Sequence, residues 1–309
     1  MHLLNLKAGS RFLNAWAGLG VLLATLSLSL AASEGPRILI VADMEGVTGV
    51  VTADQLGPGG FEYERFRQFM TAEVLAAMEG ARAAGAAEFL VADSHGNGEN
   101  LLIEEFPENV RIIRSWSRPL GMLEGVDQDI DGVFFIGFHA GTANPEGVRA
   151  HTMSSANLTD LRIGQQSVSE GVWGAAIAGH FNVPVLMLSG DDATAADAQS
   201  VMPDLEVAIV KRALSFHSAD TLTPAAGQNL IRKTAERAVR RIGEMKPYRV
   251  DTPVLVTVSF KNYQPSQVLA NLPGFDRSDA HSITYQAEDM VQASEILSVL
   301  EEYRIDLAP

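Results

Sequence analysis

Two acidic side chains directly follow a short apolar run near the start of the chain. Asp43 and Glu45 come after the apolar residues 38–42 and are bounded by Gly46 and Gly49. Such a run predicts a strand buried on both faces that leads into a tight loop. Residues two apart on an extended chain point the same way, so the two carboxylates repel each other unless a proton or a metal cation lies between them. Taken alone, such a pair more often marks a solvated strand end.

The same pattern recurs three times further along the chain. Each apolar run stops at polar residues that can bind a metal: residues 88–92 lead to Asp93 and His95, residues 132–138 to His139, and residues 183–190 to Asp191 and Asp192. Apolar runs that alternate with helical patterns predict an α/β fold, here a three-layer α/β/α arrangement with a mainly parallel sheet. In such sheets ligands bind beyond the carboxyl ends of the strands, so we expect these polar residues to meet at one edge.

The side chains at this predicted edge are those that bind zinc. The chain has no cysteine, and a protein without thiolates holds zinc with imidazole and carboxylate groups. A zinc ion with an open coordination position lowers the pKa of its bound water to about 7 and polarises a carbonyl group. Five candidate ligands are also enough for two ions about 3.5–4 Å apart, with Asp43 as the natural bridge. The candidates from the strand ends are Asp43, Glu45, His95, His139 and Asp191.

Other residues close to these strand ends have candidate roles. A predicted helix places Glu170 in its first turn, and a Gly-rich loop contains His151. His151 is either a surface residue or a loop residue that carries a proton or stabilises an oxyanion, because imidazole exchanges protons near neutral pH. Asp93 is placed to orient the imidazole of His95. Asp191 fits the N-cap of a following helix as well as it fits a metal site.

The second part of the chain has a different pattern of predicted strands and helices. After residue 203 we predict a short strand over 206–210, an amphipathic helix over 224–245 and a strand over 252–260. This part is poor in candidate ligands. We therefore predict a metal-binding α/β catalytic domain over 36–203 and a smaller α+β domain over 204–309, with the alternative that the two are interleaved in sequence.

The first 33 residues predict a signal peptide. Lys7 and Arg11 precede an apolar stretch over 15–32, and small residues with a cleavage pattern before Glu34 follow it. A membrane anchor is the weaker alternative, because a spanning helix needs about 20 apolar residues and this stretch is shorter and contains Gly, Ser and Thr. We therefore expect an exported protein, periplasmic and without a stable membrane anchor.

The charge of the chain restricts its partners. The formal net charge is −15 at pH 7. A nucleic-acid partner needs clustered Lys and Arg to neutralise its phosphates, and no such cluster occurs in the sequence. We therefore expect no nucleic-acid partner, and the expected partner is a small peptide substrate.

Several separated motifs, in order along the chain, resemble the D-aminopeptidase family of zinc metallopeptidases. They are Asp43-Met44-Glu45-Gly46, Asp93-Ser94-His95, Gly137-Phe138-His139-Ala140, His151-Thr152-Met153, Ser169-Glu170-Gly171 and the run 185–192. The resemblance implies a centre of two zinc ions whose ligands are Asp43, Glu45, His95, His139 and Glu170. It also implies that His151 is the catalytic residue and that the protein is a homo-oligomer of the ring-like kind this family forms.

The function expected from these observations is that of an exported zinc-dependent aminopeptidase. It would hydrolyse short peptides that carry an N-terminal D-amino acid, by attack of a metal-bound hydroxide on the scissile carbonyl. One alternative is another hydrolase on the same metal site, such as an L-aminopeptidase or an amidase. The other is a non-catalytic periplasmic peptide-binding protein, which has no need of an open metal centre.

Overall fold

A computed structural model describes residues 35–302, so the predicted signal peptide over 1–33 lies outside the described residues. Strands and helices alternate along most of this length. In chain order they are β1 (Arg37–Ala42), α1 (Tyr63–Ala83), β2 (Glu88–Asp93), β3 (Arg111–Ile113), β4 (Gly132–Ile136), β5 (Leu158–Ile163), β6 (Gln166–Ser167), α2 (Glu170–His180), β7 (Val185–Asp191), α3 (Asp192–Val201), β8 (Glu206–Ser215), β9 (Ser218–Thr221), α4 (Pro224–Arg240), β10 (Val254–Phe260), α5 (Tyr263–Leu269), β11 (Phe275–Arg277), β12 (Ser282–Ala287) and α6 (Met290–Glu302).

A seven-stranded sheet carries the predicted ligands. Its strand order is β3-β2-β1-β4-β7-β8-β9, and only the edge strand β9 runs antiparallel to its neighbour. Strand β1 lies between β2 and β4, and its last residue, Ala42, pairs with Asp93 on one side and Ile136 on the other. The carboxyl ends of these three strands are therefore level. Side chains that follow them meet at one edge, as the sequence pattern predicts.

Helices cover both faces of this sheet because each face of the central strands is apolar. Ile38 and Ile40 of β1 pack in a cluster with buried residues of α1 and α4, whereas Leu39 and Val41 belong to a second cluster with residues of α2. This alternation is what a strand with side chains pointing to opposite faces produces. The predicted three-layer α/β/α arrangement with a mainly parallel sheet is confirmed.

A second, antiparallel sheet has the strand order β11-β12-β10-β5-β6. Its strands β5 and β6 come from the middle of the chain, and β5 pairs with β10. Conversely, β8, β9 and α4 follow residue 203 and belong to the first sheet and its helical cover. A boundary after residue 203 thus does not separate the two sheets, which are interleaved in sequence. Among residues 35–302, no helix combines the length and the apolar character that crossing a bilayer requires.

Candidate metal centre

Five predicted ligands lie together at the carboxyl edge of the first sheet. Asp43 directly follows β1, and Glu45 lies in the loop after it; His95 and His139 lie just beyond β2 and β4, and Glu170 is the first residue of α2. All five side chains belong to residues that are at most 7% exposed. Burying three carboxylates is costly unless cations compensate their charge.

Two glycines let the loops after β1 and β4 come into contact. The N–H of Gly46 donates to the carbonyl of Gly137 at 2.7 Å. A Cβ atom at Gly46 would lie 2.0 Å from the carbonyl oxygen of Phe138, and one at Gly137 would lie 2.2 Å from the carbonyl oxygen of Asp43. Gly137 also has a φ of 77°, in the region that favours glycine. This close approach is what places Asp43 beside His139.

Asp43 lies between the two buried histidines. Its Oδ1 is 3.1 Å from Nδ1 of His95, and its Oδ2 is 3.2 Å from Nε2 of His139. Glu45 Oε2 is 2.9 Å from the same nitrogen of His95, and Glu170 Oε1 is 3.4 Å from that of His139. The five side chains therefore form two halves that share Asp43, as a carboxylate that bridges two ions would require.

The predicted catalytic histidine lies against this cluster. The ring of His151 stacks on that of His139, with centroids 4.1 Å apart and planes within 5° of parallel. Its Nε2 is 3.8 Å from Glu170 Oε1. Ligand atoms of His139, His151 and Glu170 lie within 4.8 Å of one another, as do those of Asp43, Glu45 and His139. His151 is thus close enough to act on a bound substrate and close enough to bind a metal.

Each of the three histidines has one ring nitrogen at a backbone carbonyl. His95 Nε2 is 2.7 Å from the oxygen of Leu56, and His139 Nδ1 is 3.0 Å from its neighbour's oxygen. His151 Nδ1 is 2.8 Å from the oxygen of Arg149. Because a carbonyl oxygen only accepts hydrogen bonds, these nitrogens carry the proton. The other nitrogen of each ring faces the carboxylates, which is how metal-binding histidines are oriented in proteins.

The electrostatics of the cluster favour added positive charge. Burial and the charge of Glu45 raise the pKa of Asp43. Burial alone would lower the pKa of His95, but the charges and hydrogen bonds of Glu45 and Asp43 together outweigh it and hold that pKa well above the usual range. Burial also lowers the pKa of His139, and Glu170 and Asp43 together outweigh it and raise that pKa well above the usual range. The carboxylates thus draw protons onto both imidazoles, and a divalent cation among the same atoms would supply that charge instead.

Three atoms of the cluster are buried and have no hydrogen-bond partner among residues 35–302. They are Asp43 Oδ2, Glu45 Oε2 and His139 Nε2. Buried polar atoms in native proteins are nearly always paired, so a group of unpaired ones indicates a ligand. The donor set of three carboxylates and two or three imidazoles fits zinc.

The structure corrects the contact predicted for Asp93. Its carboxylate accepts hydrogen bonds from the N–H groups of Asn100 and Leu101, at 2.5 and 2.7 Å, and from the Asn100 side chain at 2.9 Å. Asn100 in turn donates to the backbone carbonyl of His95 at 2.6 Å. Leu56, not Asp93, therefore orients the imidazole, and Asp93 holds the loop that follows it.

Asp191 serves as a helix cap. Its Oδ1 accepts from the N–H of Thr194 at 2.7 Å and so caps α3, which is one of the two roles that the sequence left open. Its Oδ2 accepts from the N–H of Val148 at 2.7 Å. That second bond ties α3 to the loop that carries His151. Asp191 is therefore satisfied by protein groups at both oxygens.

Two buried charged residues, Lys211 and Glu73, which the sequence analysis missed, each hold the loop after β1. The Nζ of Lys211 donates to three backbone carbonyls of that loop, those of Glu45, Val47 and Val50. Glu73 Oε1 accepts from the N–H of Thr48 at 2.9 Å. Burial lowers the pKa of Lys211 to about 8 and raises that of Glu73 to about 7. The signal available in sequence was a charged residue on the otherwise apolar face of α1 and another inside the apolar strand β8.

The chain is similar to known proteins along nearly all of its described length. Residues 37–299 match the family model Peptidase_M55, described as D-aminopeptidase. A D-aminopeptidase of Bacillus subtilis (strain 168) is 33% identical over 269 residues, which are 86% of this chain and 97% of that protein. The solved structure of the "Zn-dependent D-aminopeptidase DppA from Bacillus subtilis, a self-compartmentalizing protease" matches with a TM-score of 0.83 and 29% identity, over 88% of this chain and all of that one. A match along nearly the whole described chain places this protein in the D-aminopeptidase family, Peptidase_M55.

Proposed function

We propose that this protein is an exported, zinc-dependent aminopeptidase that removes an N-terminal D-amino acid from short peptides. The observation that carries the proposal is the orientation of the three histidines. Each ring donates a hydrogen bond from one N–H group to a backbone carbonyl, and its other nitrogen faces buried carboxylates. The family membership and the names of both relatives support the aminopeptidase activity and the preference for D-residues.

The residues that would hold zinc follow from the two halves of the cluster. Asp43, Glu45 and His95 would hold one ion, and Asp43, His139 and Glu170 would hold a second. Zinc bound there would lower the pKa of a water molecule to about 7 and polarise the scissile carbonyl.

The chain itself supplies charge, position and proton transfer. The buried carboxylates favour the cationic α-ammonium group of a free N-terminus over a blocked one. His151 presents Nε2 beside Glu170, where it can accept a proton; the doubly protonated ring can then donate a hydrogen bond from Nε2 to a developing oxyanion or pass that proton to the departing amine. The carbonyl of Arg149 holds its other nitrogen and so keeps the ring in this orientation.

The location and the assembly rest on separate observations. The leader-like residues 1–33 support export to a periplasm, where peptides with D-residues would be available as substrates. The related structure is described as self-compartmentalizing. By that likeness, we expect a ring-like homo-oligomer whose centres face an enclosed space.

The test compares activity with zinc content in the purified full-length protein. The zinc-loaded protein should release the first residue of a dipeptide with an N-terminal D-alanine faster than from its L-alanine counterpart. Failure to cleave either dipeptide would overturn the proposed activity, and equal or reversed rates would overturn the D-preference. Peptide binding without cleavage would identify a binding protein instead.

A pair of variants tests the role of His151. His151→Ala should keep its zinc content and lose about 10²–10⁴-fold in kcat, the range typical of general acid–base groups. His217→Ala, at an exposed position in the β8–β9 turn, is the matched control and should behave as wild type. Loss of zinc from His151→Ala would make His151 a ligand.

A further inference from the structure

A small cavity opens directly beside the candidate metal centre. It has a volume of about 280 Å³, and Glu170 forms part of its wall. Ser94 and Gly96, which flank His95 in the chain, also line it, as does Met153, whose N–H donates to Glu170 Oε1 at 2.7 Å. A molecule bound in this cavity therefore lies against Glu170, one of the five candidate ligands.

The lining of this cavity selects for uncharged or cationic groups. Its apolar side chains include Trp116, Met122, Trp173, Ile177 and Leu297. Four serines add hydroxyl groups, and the described lining contains two carboxylates but no Lys or Arg. An anionic side chain would be repelled here, whereas an α-ammonium group with a small apolar side chain would be accepted.

The size of the cavity restricts what fits. A water molecule occupies about 30 Å³ in the liquid, so 280 Å³ corresponds to about nine such volumes. That space is enough for one amino-acid residue together with its side chain.

A larger groove continues from the cavity. It has a volume of about 1250 Å³ and shares Ser154, Asn157 and Glu301 with the small cavity. None of the five candidate ligands lines it, and its wall exposes apolar side chains of α5 and α6, such as Val268 at 57%. A chain whose first residue occupies the cavity would continue into this groove.

The boundary between the cavity and the groove is held in place by Lys261. Its N–H donates to the carbonyl of Asn157 at 2.8 Å, and its Nζ donates to the carbonyl of Ser155. Lys261 also lines the groove, whereas no cationic side chain among residues 35–302 lines the small cavity. This charge difference favours a peptide with its ammonium end in the cavity and its carboxylate end in the groove.

We propose that the small cavity binds the N-terminal residue of the substrate and that the groove binds the residues after the scissile bond. The preferred substrates then have an uncharged first residue and an apolar second residue. This inference rests on the proposed aminopeptidase function for its kinetic test. Its binding test does not depend on catalysis.

The binding test uses the tryptophans of the cavity. Of the three tryptophans in the chain, Trp116 and Trp173 both line the cavity, and Trp16 lies in the predicted leader. In the full-length protein with Trp16→Phe, alanine and leucine of either configuration should change the fluorescence saturably. Glutamate should bind at least tenfold more weakly, because its side chain is anionic. No saturable change with any amino acid, or equal affinity for glutamate, would overturn the assignment of the cavity.

The kinetic test uses substitutions that separate the two subsites. Ser298 lines only the small cavity and Val268 only the groove. Ser298→Leu should lower kcat/KM at least tenfold for a dipeptide beginning with leucine and much less for one beginning with alanine. Val268→Asp should lower it about tenfold for an apolar second residue and little for a lysine there. Glu295→Ala, exposed on α6, is the control.

The outcomes of the kinetic test distinguish the two proposals. Zinc content and melting temperature of each variant establish that it is folded, and Ser298→Val replaces Ser298→Leu if the larger side chain prevents folding. If wild type cleaves dipeptides but both variants keep its side-chain preferences, the subsites are wrong and the aminopeptidase function stands. If wild type cleaves no dipeptide, the function is wrong, and the fluorescence titration still decides whether the cavity binds an amino acid.

Discussion

Replacing Glu73 by Gln should change stability in a pH-dependent way. The free energy of unfolding of Glu73→Gln minus that of wild type should increase as the pH rises from acid to neutral. Glu73 is fully buried on α1, and burial raises its pKa from 4.5 to about 7. A carboxyl group whose pKa is higher in the folded state binds more protons when folded. Its stabilising protonation is present below pH 4.5 and is lost as the pH rises through about 7. Glutamine has no such dependence.

The magnitude follows from the two pKa values. A difference of about 2.5 in pKa corresponds to about 3 kcal/mol at 1.36 kcal/mol per unit. The stability of Glu73→Gln minus that of wild type should therefore rise by about 2–3 kcal/mol between pH 5 and pH 8. The amide adds a pH-independent offset, because its NH₂ group replaces the buried Oε2 of Glu73.

Urea unfolding of the metal-free proteins at four pH values from 5 to 8 measures this difference. A chelator in every sample keeps metal binding out of the comparison, and the m-values should agree between the variants. Glu79→Gln, at an exposed position of the same helix, should stay within about 0.5 kcal/mol of wild type. If Glu73 is instead ionised and paired with Lys211, Glu73→Gln destabilises the protein at every pH. A difference that stays flat from pH 5 to pH 8 would refute the reasoning.

Two further substitutions test the loop that carries Asp43 and Glu45. Lys211→Met leaves three backbone carbonyls without their donor. At about 1–3 kcal/mol for each carbonyl, the free energy of unfolding measured in urea should fall by about 3 kcal/mol or more. The zinc affinity measured by chelator competition should fall as well. Wild-type zinc affinity in a folded Lys211→Met would show that the loop holds its shape unaided. Gly46→Ala places a methyl group 2.0 Å from the carbonyl oxygen of Phe138, so the loops after β1 and β4 must separate. The zinc content, measured by atomic absorption after gel filtration, should therefore drop below half of the wild-type value. Full zinc occupancy would contradict the close approach of the two loops.

Much of the candidate site could be predicted because its ligands follow strands. A strand buried on both faces is an apolar run, and such runs are visible in sequence. Parallel neighbours align their carboxyl ends, so Asp43, His95 and His139 had to lie near one another once their strands were recognised. The predicted helix at Glu170 is confirmed for the same kind of reason, since Ser169 caps it and the residues after it are apolar.

The strand β5 and the interleaving of the two sheets were harder to predict. Residues 158–163 lie in a polar, Gly-rich stretch and show only a weak alternation of buried and exposed positions. They become a strand because β10, almost a hundred residues later, pairs with them. Strand formation of this kind depends on the partner more than on the local sequence.

Sequence by itself determined which residue types arrive at the carboxyl edge, because local apolar patterns decide where buried strands begin and end. Only the tertiary structure decided what surrounds them. Lys211 reaches the loop after β1 across more than 160 residues, and residues of α2 and α6 complete one cavity beside Glu170. The carboxylate of Asp93 turned to Asn100 instead of the nearby imidazole. These contacts depend on distances between separate elements in space, and the order of residue types along the chain does not specify those distances.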